Sequence, residues 1–120
     1  MLKMYARVDR YVNLTPHDVN VVLDDGSILV YKPEPEPARV DVQLRPIEVG
    51  GDAPMFYESY GEVVGLPDLE YGTFLIVSGL VCSARPDRLD LVHPVGLVRN
   101  EEGIVIGCKG FAPNAPIYDN

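Results

Sequence analysis

The chain has no tryptophan, one glutamine, two cysteines, two histidines, three lysines and six alanines in 120 residues. Strong helix formers are therefore scarce, while seventeen valines and six isoleucines supply β-formers in excess, which argues against a helical bundle. Cys82 and Cys108 stand 26 positions apart in apolar surroundings. They read as buried free thiols rather than a disulfide framework or a zinc site, with a single bridge between them as the alternative. His17 and His93 lack HxxxH or HExxH spacing, so neither a metal site nor a cofactor is expected. A nucleophile elbow, a phosphate loop and a dinucleotide fingerprint are missing too. The longest uncharged stretch, residues 71–84, has 14 residues, short of the roughly 20 that a membrane-spanning helix needs. Lys3, Arg7, Asp9 and Arg10 interrupt the first ten residues, which leaves no apolar core for an export signal. A cytoplasmic location and no membrane partner are the expectation.

Positive charge is the other shortage. The net charge is −8: residues 1–45 hold six Lys or Arg against seven Asp or Glu, and residues 46–120 hold four against eleven. No basic residue occurs between positions 47 and 84. Such a surface repels phosphate backbones, which excludes nonspecific nucleic-acid binding; it favours solubility and steers basic partners.

Hydrophobic residues at 47% and charged residues at 23% describe one folded domain, residues 1–120. Eleven glycines and eleven prolines imply many turns between short strands. In residues 10–14, Tyr11 and Asn13 alternate with Val12 and Leu14. The runs at 19–23 and 27–32 flank Asp24-Asp25-Gly26, a strong hairpin signal, and those at 95–99 and 103–107 flank Asn100-Glu101-Glu102 in the same way. The Pro-Glu alternation of 32–37 predicts an extended connector. Residues 38–46 alternate, with Val40, Val42 and Leu44 on one face of a half-exposed strand. Residues 54–72 read as a strand and a wrapped loop, and the continuous apolar run 73–78 as the central buried strand. The reading is a mainly β fold, α+β by strict count, with a mixed or antiparallel sheet or barrel. It has hairpins at 19–32 and 95–107, one short helix around 79–91, and a loose tail at 112–120.

Two segments carry candidate chemistry. Asn13, Thr15 and His17 bring an amide, a hydroxyl and an imidazole to a strand end, where His17 would act as an acid/base or as a hydrogen-bond donor to a phosphate. Thr15-Pro16-His17-Asp18 equally fits a capped single helical turn. Arg85, Arg88 and His93 follow the buried strand and would hold a phosphate or carboxylate, unless Arg88 pairs with Asp87 or Asp90. Glu58, Glu62, Asp68 and Glu70 read either as an acid/base pair or as a solvated acidic face. Ser78 before Gly79 lacks the GxSxG frame.

The strings VNLTPHDV (12–19), DDG (24–26), ARV (38–40), YGEVVGLP (60–67), FLIVSGLV (74–81), RLDLVHP (88–94) and GIVIGCKGF (103–111) lie in one order along nearly the whole chain. Together they resemble small uncharacterised proteins of phages, archaeal viruses, prophages and some actinobacteria that share an NLTPH segment near the N-terminus. The resemblance implies a viral or mobile-element origin, a host cytoplasmic setting and action on host pathways; it carries over no catalytic residue. The favoured function is a non-catalytic binding module, expected to be a homo-oligomer. Its partner would be a host protein or a small phosphorylated ligand held by Asn13, Thr15, His17, Arg85 and Arg88. The alternatives are a small nucleotide or phosphodiester enzyme with His17 as acid/base and Arg88 on the charged group, and a structural virion component.

Overall fold

The computed structural model describes residues 8–114. Along them run β1 (Arg10–Asn13), β2 (Val19–Val22), β3 (Ile28–Tyr31), β4 (Arg39–Ile47), β5 (Met55–Val64), β6 (Thr73–Ile76), α1 (Gly79–Ala84), β7 (Leu91–Arg99) and β8 (Val105–Pro113). The fold is mostly β, as the sequence implies, with β1-β6-β7-β8-β2-β3 forming a mixed sheet and β4-β5 forming a ribbon of their own.

Both Asp/Glu-Gly turns build the hairpins expected of them. Leu23 accepts from Gly26 N–H at 2.9 Å and donates to the Ser27 carbonyl at 2.8 Å; Asn100 does the same with Gly103 and Ile104, both at 2.9 Å. The glycines supply the positive φ that such turns require, +86° at Gly26 and +81° at Gly103. The second hairpin is longer than residues 95–107, because its ladder runs back to Val92↔Pro113. Ala112 and Pro113 therefore belong to β8, and Asn114 donates its N–H to Leu91. The expected loose tail does not begin at 112, and residues 115–120 lie outside the described region.

Between β6 and β7, which are parallel neighbours, the chain must cross over, and α1 sits in that crossover. The Ser78 hydroxyl caps it by accepting from Val81 N–H at 3.2 Å. The helix stops at Ala84, well short of the expected 91. Pro86 disfavours helical backbone at Arg85, and Leu91, fully buried, is recruited into β7.

The six-stranded sheet curls until its edge strands meet. One bridge, Asn13↔Pro33, joins the end of β1 to the chain leaving β3, without the continuous ladder of a closed barrel. Inside the curl lie Val19, Val21, Ile76, Val92 and Cys108, with Tyr11, Tyr31, Phe74 and Phe111 packed on them. Tyr11 contacts the other three rings at centroid distances of 4.9 to 6.5 Å. Close approach of β8 to β2 requires Gly107: a methyl group there would stand 2.6 Å from the Asn20 carbonyl oxygen. Outside the curl a second core joins Leu14, Leu75, Val77 and Leu91 to Val81 and Cys82 of α1 and to Ala38 and Val40. Alternation in β1 divides Tyr11 from Val12 and Leu14 between these cores, as the sequence implies.

Past Val40 the ribbon β4-β5 leaves the body. Its ladder runs from Arg39↔Val64 to Ile47↔Met55, with a register shift between Val40 and Val42. The described chain extends to 55 × 39 × 34 Å with a radius of gyration of 17.5 Å, against roughly 14 Å for a compact domain of this length. Val42 and Leu44, expected on a covered face, are 44% and 58% exposed. Among the described residues, no helix is long and apolar enough to cross a membrane.

Because Ile76 and Leu91 are completely buried, Ile76→Ala or Leu91→Ala should cost about 2–5 kcal/mol in urea denaturation. Leu89→Ala, at a position 56% exposed, should stay within about 0.5 kcal/mol of the parent chain.

Candidate functional site

At the end of β1 the Asn13 side chain turns inward and is 2% exposed. Its Nδ2 donates to the carbonyls of His17 and Tyr31, each at 2.8 Å. Its Oδ1 accepts from Thr15 N–H at 2.9 Å and from Thr15 Oγ1 at 2.6 Å. This is an asparagine-led turn, and residues 15–17 form bends rather than the capped helical turn that the Thr-x-x-acid pattern suggested. Thr15 is itself buried, with its hydroxyl also 3.0 Å from the His17 carbonyl. Asn13 and Thr15 thus spend their polar groups on the fold. His17 alone of the three faces solvent, its ring Nδ1–H donating to the Asp18 carbonyl at 3.0 Å.

The arginines are committed as well. Arg85 holds Asp87 through two bonds of 2.8 Å, and Arg88 holds Asp90 at 2.9 and 2.8 Å while donating to the Pro67 carbonyl at 2.8 Å. Each pair is a fork on a carboxylate, the strongest geometry open to these groups. The guanidinium of Arg85 pulls the Asp87 carboxyl down to about 2. Asp90 is 5% exposed, so the Arg88 pair is a structural clamp between the turn before β7 and the 66–68 loop. Asn114 Nδ2 completes this corner, donating to the carbonyls of Arg85 and Arg88.

Strand register decides whether the two segments meet. β1, β6 and β7 run parallel, with Asn13 beside Ile76 and Ile76 beside Val92. His17 follows the C-terminal ends of these strands, whereas Arg85 and Arg88 precede the N-terminal end of β7. The five residues do not form one site, and the pairing of His17 with Arg88 that a phosphodiester enzyme would use is absent. The four acidic residues fall into two places: Glu58 and Glu62 lie on the ribbon, while Asp68 and Glu70 line one small cavity with Arg10, which Glu70 pairs at 3.4 Å. Among the described residues no group of three or more His, Cys, Asp or Glu side chains is placed to hold a metal. Cys82 and Cys108 are free and buried, and burial pushes the Cys82 thiol upward.

What does open beside His17 is a shallow cleft of about 270 Å³ between the start of β2 and the β7–β8 hairpin. Pro94, Leu97, Val105 and Ile106 form its apolar walls, Gly107 and Cys108 its floor, and His17 and Asp18 its polar rim. Leu97 is 66% exposed. Sequence reasoning missed these walls because an apolar residue in a strand looks the same whether it faces a core or an open cleft.

Asn13→Ala would leave the buried Thr15 N–H and the half-buried Tyr31 carbonyl without their Asn13 partner, while the Thr15 hydroxyl keeps the His17 carbonyl, and should cost about 1–3 kcal/mol in chemical denaturation. Arg88→Ala, by stranding the buried Asp90 carboxylate, should cost about 3–5 kcal/mol. The Asp87 carboxyl, with its ordinary value of 3.8 lowered to about 2, should remain ionised in NMR titration until the pH falls through about 2. Its stabilising effect is complete above the unfolded value of 3.8 and is lost below the folded one.

No family model matches the chain, and no significant match appears among curated proteins or solved structures.

Proposed function

We propose that this chain is a non-catalytic binding module that docks a host protein at the cleft beside His17 and works as an assembly of its own copies. The observation that carries the reading is the exposed apolar wall of Leu97, Val105 and Ile106 under a polar rim. That combination, an apolar centre ringed by polar groups, characterises protein-recognition surfaces. The cleft's volume of about 270 Å³ falls below the roughly 300–1,000 Å³ of small-molecule pockets and suits one or two inserted side chains. A small phosphorylated ligand has weaker support, since Arg85 and Arg88 already hold carboxylates. The net charge of −8 favours a basic partner by steering its approach. A viral or mobile-element origin, implied by the NLTPH resemblance, makes a host protein the partner class.

The test compares proteins that copurify from the host with the parent chain, with Leu97→Asp/Ile106→Asp and with Arg85→Ala. A partner lost roughly 100-fold with the cleft variant and retained with Arg85→Ala is the expected result. A partner retained by the cleft variant, or nucleotide binding lost with Arg85→Ala, would count against the reading.

A further inference from the structure

The cleft beside His17 is a split in the sheet. β2 and β8 are parallel neighbours, yet their register joins them only at Val21↔Cys108. Continued towards the hairpin, the same offset would lay Val19 beside Ile106 and Asp18 beside Val105; those four residues line the cleft instead. The β7-β8 ladder shifts register between Val98 and Arg99 at this level, and a bulge there bends the edge that β8 turns towards β2. The parting leaves backbone groups open. Asn100 N–H donates to the Ile104 carbonyl, so in the next pair, Arg99↔Val105, the N–H and C=O groups turn away from each other. Those of Val105 point to the cleft side, and among the described residues no backbone group bonds them. The Ile106 carbonyl points the same way and is met by Asn20 Nδ2 at 3.5 Å, the long limit of a hydrogen bond. Charge at the hairpin tip is unevenly committed as well. Glu101 and Glu102 are exposed, and their carboxylates hold no partner among the described residues. Arg99 Nη1 is held on the Gly103 carbonyl at 2.8 Å, and Lys32 pairs with Asp18 on the rim at 2.8 Å.

We infer that the cleft takes an extended basic peptide segment of the partner, added as a short strand to the Val105 edge of β8. One apolar side chain of the segment enters between Leu97 and Ile106, and a lysine or arginine about three positions away meets Glu101 and Glu102. Backbone chemistry selects an extended occupant: a helix keeps its N–H and C=O groups for itself, whereas a strand offers them to the open groups of Val105. Size agrees, since about 270 Å³ holds an inserted side chain and leaves the peptide backbone at the mouth. Charge complementarity sets the sign, because two unpaired carboxylates stand at the tip against one guanidinium that is already held. Val105 and Glu102 are three positions apart in the chain, roughly 10 Å along an extended strand, which fixes the spacing of anchor and cation. The inference rests on the reading of the cleft as a docking site, and it names the chemistry of what docks.

The probe is a phage-displayed library of random decapeptides selected on the full chain. Enriched peptides should share an apolar residue with a lysine or arginine about three positions away. With the best of them bound, the Val105 amide should gain protection from hydrogen exchange. N-methylation of the peptide backbone beside the apolar anchor should weaken binding about 10-fold or more, and Glu101→Gln/Glu102→Gln should weaken it about 3- to 10-fold. The N-methyl measurement uses the unaltered chain, so it decides even where a variant fails to fold. A peptide that is lost with Leu97→Asp/Ile106→Asp yet is indifferent to N-methylation or to the glutamine variant overturns the inference and leaves the cleft standing as a docking site. A selection that yields no cleft-dependent peptide overturns it too, while copurification decides the docking reading on its own.

Discussion

One buried amide holds together the place where the sheet's edges meet. Asn13 reaches the Tyr31 carbonyl on the outgoing edge and the His17 carbonyl in the loop between. Its backbone carbonyl accepts from Glu34 N–H at 2.9 Å. A carboxamide is suited to this post because it both donates twice and accepts twice, and here all four bonds are made within the fold. The curl of the sheet, the burial of the Tyr11 and Tyr31 rings and the position of His17 at the cleft rim follow from it. Burying such a group is costly only when it is unsatisfied, and every buried side-chain nitrogen and oxygen among the described residues has a partner.

The cations most suggestive of chemistry serve a similar end. Arg88 lies at a corner where the 66–68 loop, the turn before β7 and the end of β8 converge, and Asp90 accepts from its Nε and one Nη. In a chain with ten basic residues, such commitments leave the walls of the cleft beside His17 to apolar side chains.

The molecule also divides its apolar surface unevenly. Two cores account for the body, one inside the curled sheet and one beneath α1. The cleft and the ribbon lie outside both. Hydrophobic surface left open in a folded chain is stabilising only when something covers it, and the two exposed regions differ in character. The cleft is small and rimmed by polar groups; the ribbon face is longer and carries Glu58 among its apolar side chains.

Much of the architecture was legible locally. Asp25-Gly26 and Glu102-Gly103 specify their turns through hydrogen bonds spanning three or four residues, and the alternation of β1 assigns Tyr11 and Val12 to opposite sides. Helix α1 was legible, but not its end at Ala84, which depends on Leu91 joining a strand that pairs with Leu75. The roles of Asn13, Arg85 and Arg88 were illegible because donor groups look alike in sequence whether they face a ligand or a neighbouring carboxylate. By itself, the sequence determined strand content, the hairpins and the acidic balance, since these rest on period-two patterning and short-range turn chemistry. Tertiary structure alone decided that the two polar segments lie at opposite strand ends and that Val42 and Leu44 remain uncovered. Parallel register and sheet curvature arise from pairings dozens of residues apart, for which no local pattern carries a signal.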